Sequence, residues 1–298
     1  MVTEQLQPTR HPLGAGTFKE PSRRLTVIER RRPGVLSAFR ELWRYRRFTL
    51  HFGRSILTRR YATAWLGLVW LPLRPVLNIA AKLLVFGGLV GITAGAIPYP
   101  VYFLLASGAW VLFAESVLWS IRALEMNRSV LRELHVPRLV VIAGALVPSG
   151  IDFLIHIALV SCGLLYYYLR TDHFYLELTL LSPLIVGAAL LLLMLLGLGA
   201  GLILAAGARA RDVRFGLTYL VSFLYFLTPV IYPFELIPNE WKPVALLNPV
   251  TGAMELFKLG LIPGEEVSWK ALVVTVTAVF ALWVPGLWLF QRREVRDW

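Results

Sequence analysis

Polar and apolar positions along this chain separate into long blocks. Residues 1–35 are polar, carry Pro8, Pro12, Pro21 and Pro33, and show no apolar period. Such a segment buries too little apolar surface to offset its ordering entropy, so a flexible arm is expected there. From Leu36 to Tyr61 the pattern turns helical. At 100° per residue Leu36, Phe39, Leu42, Trp43, Leu50 and Leu57 share one stripe, and basic residues cover much of the rest, with Arg46 intruding. A basic helix with one apolar edge, running straight into a long apolar block, predicts an amphipathic helix over 36–61 in the plane of a membrane interface.

Six apolar runs follow, near Leu66–Gly91, Val101–Met126, Leu139–Leu169, Leu178–Gly207, Leu217–Tyr232 and Ala271–Phe290. Crossing hydrocarbon takes roughly 20 residues. The fifth run is short and broken by Pro229 and Pro233. Pro148, Pro183 and Pro285 fit kinks or helix starts, because neighbouring helices re-satisfy the backbone in a membrane bundle. Between the last two runs, Val230–Ile237 and Val244–Ile262 are apolar but interrupted at Pro238, Asn248-Pro249 and Pro263-Gly264. Two short helices dipping back into the outer leaflet fit this pattern. The expected fold is an all-α integral membrane protein: six transmembrane helices over 62–298, an N-terminal amphipathic interfacial helix and two short re-entrant external helices between spans five and six.

Composition supports the class. Of 298 residues 57% are hydrophobic and 16% charged. A net charge of +12 would otherwise raise nucleic acid as a partner, but most of it flanks the apolar runs. Counting Lys and Arg with the N-terminus inside gives 24 on the inner side and four outside, at Arg170, Lys242, Lys258 and Lys270. Both termini are therefore expected in the cytoplasm. No apolar leader segment follows the start, so no cleaved signal is expected. The single Cys162 excludes an intrachain disulfide and a thiolate metal cluster. No catalytic or metal-binding constellation is expected.

Two cations sit within the first run. Arg74 and Lys82 would cost about 2.5–3.5 kcal/mol each at a bilayer centre, so both should face protein or a wet path. At 1.5 Å rise per residue, Arg74 and Glu115 lie at roughly 12 and 17 Å from the cytoplasmic end. Lys82, Asp152 and His156 lie at roughly 24, 20 and 25 Å by the same rise. Height thus allows ion pairs Arg74–Glu115 and Lys82–Asp152, with a proton relay through Asp152 and His156 as the sharper alternative. No G-x-x-x-x-G-K-S/T sequence occurs, so an ATP-driven process would need ATP and Mg bound by a partner chain.

Arg59-Arg60-Tyr61 followed by Trp65-Leu66-Gly67-Leu68-Val69-Trp70 and Pro75 resembles the opening segment of polysaccharide-exporting ABC transporter permeases. Asn127 with His135-Val136-Pro137-Arg138 resembles their first intracellular loop. Arg211-Asp212-Val213 resembles their Arg-Asp-Val element, and Leu227-Thr228-Pro229-Val230-Ile231-Tyr232-Pro233 with Asn248-Pro249-Val250-Thr251-Gly252 resembles their external re-entrant region. The resemblance covers roughly residues 40–298. Ala64, where the family usually has a small polar residue, and Arg74, where many members are uncharged, depart from it.

The resemblance implies a homodimeric permease in a bacterial inner membrane that exports a lipid-linked glycan and binds two copies of an ATP-binding ABC subunit. On that reading the loop with Arg128, Arg132, Glu133, His135 and Arg138 docks the ATPase. Arg54, Arg59 and Arg60 stand where a lipid pyrophosphate would be taken up, or where anionic lipid is attracted. Tyr102, Trp110, Trp119, Phe223, Tyr225 and Phe226 would join Arg74, Lys82, Glu115, Asp152 and His156 in lining the conduit or pairing helices. Tyr232, Asn248 and Pro249 would form an external gate. Two other classes stay open. A membrane-embedded glycosyl- or acyltransferase would need converging carboxylates or a His/Asp cluster on a loop, and a secondary transporter would more often show inverted repeats.

Overall fold

The computed structural model describes residues 43–61, 65–95, 97–126, 143–144, 146–207 and 211–296. The expected arm, the start of the amphipathic helix and the loop carrying Arg128, Arg132, Glu133, His135 and Arg138 lie outside the described residues. In chain order the helices are α1 (Arg46–Tyr61), α2 (Trp70–Lys82), α3 (Tyr99–Met126), α4 (Leu146–Thr171), α5 (Ser182–Gly207), α6 (Arg211–Leu227), α7 (Lys242–Leu247), α8 (Thr251–Leu259) and α9 (Trp269–Arg296). A 3-10 turn at Gly67–Val69 leads into α2, and a π-helix over Leu83–Leu89 continues it. Gly91, at φ 73°, ends that stretch in a conformation that only glycine adopts freely.

Five helical stretches among the described residues are long and apolar enough to cross a membrane: Gly67–Leu89, Tyr99–Ser120, Leu146–Thr171, Ser182–Leu204 and Trp269–Leu289. The run expected near Leu217–Tyr232 differs. Its apolar helical part is Gly216–Leu227, after which the chain turns. Pro229 has no backbone donor to continue the ladder, and the Thr228 hydroxyl bonds back to the Leu224 carbonyl at 2.7 Å.

α3 is the centre of the bundle. It packs against α4 and α5, α5 packs in turn on α9, and α8 fits among α3, α5 and α9. Close approach of α3 and α5 depends on small residues: a Cβ at Gly197 or Gly201 would meet Ser116 or Ser120. Those serines fold their hydroxyls onto the Leu112 and Ser116 carbonyls, at 2.6 Å each, so their polar atoms are satisfied within α3. The Trp283 indole N–H donates to the Leu195 carbonyl at 2.8 Å and ties α9 to α5.

The two ends of the bundle differ. At one end α1 lies against the start of α4, where Gly53 meets Val147 and Gly144 meets Phe52. Trp43 and Leu50, on the apolar stripe of the sequence, remain exposed. At the other end α3, α5 and α9 begin, and α8 packs between them with Thr251, Ala253, Met254, Phe257 and Lys258 buried. The apolar stretch of α3 is largely buried, whereas Gly67–Leu89 is hardly buried at all, so α2 presents its apolar side chains outward.

Candidate functional site: a polar clasp and a cation on an aromatic face

The end of the bundle around α8 holds a chain of hydrogen bonds between segments far apart in sequence. Lys258 is fully buried. Its ammonium donates to the Tyr102 hydroxyl at 3.1 Å and lies 3.6 Å from a Glu265 carboxylate oxygen. Tyr102 donates in turn to the Tyr232 carbonyl at 3.0 Å, and the Tyr232 hydroxyl donates to the Phe226 carbonyl at 2.6 Å. Tyr99 donates to the Ile231 carbonyl at 3.0 Å. A second branch runs through Asn248. Its amide donates to Thr228 Oγ1 at 2.8 Å, while its own oxygen accepts the Val250 N–H at 3.0 Å. Thr275 on α9 donates to the Pro249 carbonyl at 2.7 Å.

These bonds hold the non-helical segment 228–233 to α3 through Tyr99 and Tyr102 and to Asn248, while α8 and α9 brace Tyr102 and the Pro249 carbonyl in turn. The Ile231 and Tyr232 carbonyls lie past the end of α6, and buried tyrosines of α3 supply their donors. The arrangement connects the loop at Glu265 through α8 and α3 to the last turn of α6.

Glu255 on α8 is also buried and accepts the Ser268 N–H at 3.0 Å. Burial pushes its carboxyl up to about 7 from the ordinary 4.5, against the smaller opposing effects of the Ser268 bond and the Lys258 charge. Burial likewise raises Glu265, with Lys258 pulling the other way. The folded state therefore holds the Glu255 proton longer than the unfolded chain does. Its contribution to stability is complete below pH 4.5 and is lost as pH rises through about 7. The unfolding midpoint is expected to fall between pH 5 and 8, with Glu255→Gln flattening that slope. A midpoint profile identical in the variant would show that Glu255 is not the titrating group.

The second feature lies midway along the bundle. Lys82 is half-buried, with its ammonium 3.9 Å from the centroid of the Tyr225 ring. Tyr225 also meets Trp110 edge-on at 5.4 Å and Phe226 at 5.5 Å, and Phe226 faces Phe86 at 6.5 Å. Phe223 and Phe226 are exposed on α6. Neither ion pair allowed by height is formed: Arg74 is exposed on α2, and Lys82 rests on Tyr225. Rise per residue sets height along a helix but leaves open which face a side chain occupies. Glu115 keeps its Oε2 without a hydrogen-bond partner. His156 is buried, and its Nδ1 lies 2.8 Å from the backbone carbonyl of Asp152, not from the Asp152 carboxylate.

Tyr102, Trp110 and Trp119 are in the protomer's interior, since α3 is its central helix. As fully packed rings they support the fold and do not line an open path within one chain. Arg54 is exposed on α1; Arg59 and Arg60 are on its last turn, and their side chains lie outside the described residues. Tyr232, Asn248 and Pro249 all take part in the clasp.

Residues 46–262 match the family described as ABC-2 type transporter. The chain belongs to this family. Among ABC-2 relatives, it is 27% identical over 248 residues to the polysialic acid transport protein KpsM of Escherichia coli, an alignment spanning 82% of this chain and 92% of that protein. It is 26% identical over 269 residues to the O-antigen export system permease protein RfbA of Myxococcus xanthus, spanning 87% and 98%. In this ABC-2 chain the matched region runs from α1 past α8, so Lys258 lies inside it and Glu265 just beyond.

Tyr99, Glu255, Lys258 and Glu265 were not singled out by sequence, and Thr228 entered only as part of a family motif. Lys258 counted there as an outside loop charge. The available signal was Glu255 and Lys258, three apart in an otherwise apolar run, which places both on one helix face.

Proposed function

We propose that this ABC-2 chain is the permease of an exporter moving a lipid-linked polysaccharide from the cytoplasmic to the external face of a bacterial inner membrane. Two copies enclose the path, and two copies of a separate ATP-binding subunit drive it. The near full-length similarity to a polysialic acid transport protein and to an O-antigen export permease carries this reading. The outward apolar faces of α2 and α6 also support it, because one protomer leaves them uncovered.

On this reading α6, 17 residues and roughly 26 Å long, makes the sixth crossing together with the clasped segment 228–233. The clasp is then the external gate. α7 and α8 are the re-entrant helices that roof the exit, while α1 lies along the inner interface with Arg54, Arg59 and Arg60 near the lipid headgroups. The loop with Arg128, Arg132, Glu133, His135 and Arg138 receives the ATPase.

Purification of the tagged chain from its own cells in mild detergent tests this. The expected particle contains two permeases and two ATP-binding subunits with ATPase activity. A stable particle with no nucleotide-binding chain, active as a glycosyl- or acyltransferase, would overturn the proposal in favour of a membrane enzyme.

A further inference from the structure

We propose that Lys82 reads oxyanions on the translocated molecule and so selects an acidic cargo. The inference rests on the conduit reading above and adds the charge class of the substrate.

Two buried or half-buried lysines of this fold behave differently. Lys258 shows the structural arrangement: fully buried, hydrogen-bonded to Tyr102 and ion-paired with Glu265. Lys82, on a segment expected to span the membrane, has no ion pair with any described carboxylate. Glu115, whose charge reaches the same neighbourhood around His156, keeps Oε2 without a hydrogen-bond partner. An ammonium has three donors. The Tyr225 ring supports one side of this one at 3.9 Å, and no hydrogen bond to another described residue uses its donors. The Tyr225 hydroxyl is buried and likewise without a partner.

Around this cation the surface is aromatic. Phe226 is 54% exposed and Phe223 66% exposed on the helix that carries Tyr225, and Phe86 reaches Phe226 from the helical stretch that carries Lys82. Rings accept the apolar faces of sugars without regard to charge. A cation among them adds discrimination, because only a cargo bearing carboxylate or phosphate gains a charge-assisted contact in a low-dielectric setting. Sugar carboxylates and the pyrophosphate of a lipid carrier share this chemistry.

The test uses the full-length permease with its ATP-binding subunit in nanodiscs. Binding of three fluorescent probes is measured: an oligogalacturonate, a maltooligosaccharide of equal length, and a prenyl pyrophosphate without sugar. Oligogalacturonate is expected to bind about tenfold more tightly than the neutral oligomer at low salt. Lys82→Gln should remove that preference without weakening the neutral oligomer, and Lys82→Arg should keep it. Loss confined to the prenyl pyrophosphate would overturn selection of an acidic glycan and leave Lys82 as a contact for the lipid carrier alone. Unchanged binding of both anionic probes in Lys82→Gln, while Phe226→Ala weakens both oligomers, would overturn the proposal and leave the conduit reading intact. No glycan binding to the wild type, with none lost in Phe226→Ala, would overturn both.

Discussion

Lys258→Met is expected to destabilise the protein by about 3–5 kcal/mol, the usual cost of removing one partner from a buried ion pair. The side chain is completely enclosed, and its ammonium satisfies Glu265 and the Tyr102 hydroxyl together. Without it, a carboxylate is stranded beside the already buried Glu255, and the link from the Glu265 loop to α3 is cut. Thermal unfolding in detergent, followed by tryptophan fluorescence, measures the loss. The double variant Lys258→Met with Glu265→Gln should recover part of it, since the stranded charge is then gone. If the single and double variants unfold together at the wild-type midpoint, the pair does not hold the clasp. If the clasp is the external gate, the single variant also loses export, because Tyr102, which holds the Tyr232 carbonyl, loses its buried partner.

The second large effect is expected at Gly252. A Cβ there would press on the Ala271 carbonyl and come within 2.6 Å of the Leu272 nitrogen, all backbone at the start of α9. A flexible side chain could swing aside, but a helix terminus can only shift as a whole. Gly252→Ala should therefore cost about 1–3 kcal/mol, in the range for overpacking a filled interface, and Gly252→Val more. Gly187→Ala, on α5 with nothing within 4 Å of its added Cβ, is the control. It should be neutral or stabilising by up to about 1 kcal/mol through helix propensity. Unfolding midpoints and the monodisperse fraction on size-exclusion chromatography compare the two. Equal behaviour of the two variants would mean that α8 and α9 separate without cost.

Both predictions concern the region where sequence gave the least detail. The apolar run Val244–Ile262, with its Asn-Pro break, was legible as short helices, and α7 and α8 fall there. The buried order of α8 was not. Lys258 counted only as an outside cation and Glu255 drew no notice, because a burial partner such as Tyr102 lies 156 residues away. The cations of the first run illustrate the same limit. Their presence was plain in sequence, and their expected partners were chosen on height alone. Lys82 nevertheless lies on Tyr225 of α6. The aromatic residues divide in the same way: α3, as the central helix, encloses Tyr102, Trp110 and Trp119, while Phe223 and Phe226 on α6 stay exposed.

By itself the sequence determined the class of the molecule and the order of its five long apolar helices. Twenty-residue apolar blocks, helical period and proline breaks are local properties, and hydrocarbon admits few ways to satisfy the backbone of such blocks. Tertiary structure alone decided which helix is central, that Lys258 is a structural cation while Lys82 has no ion-pair partner among the described residues, and that segment 228–233 is held by Tyr99 and Tyr102 of α3 and by Asn248. Those outcomes depend on which helix faces meet. Azimuth and helix neighbours are set by close packing of residues distant in the chain, such as Gly197 and Gly201 against Ser116 and Ser120, and no local pattern encodes them.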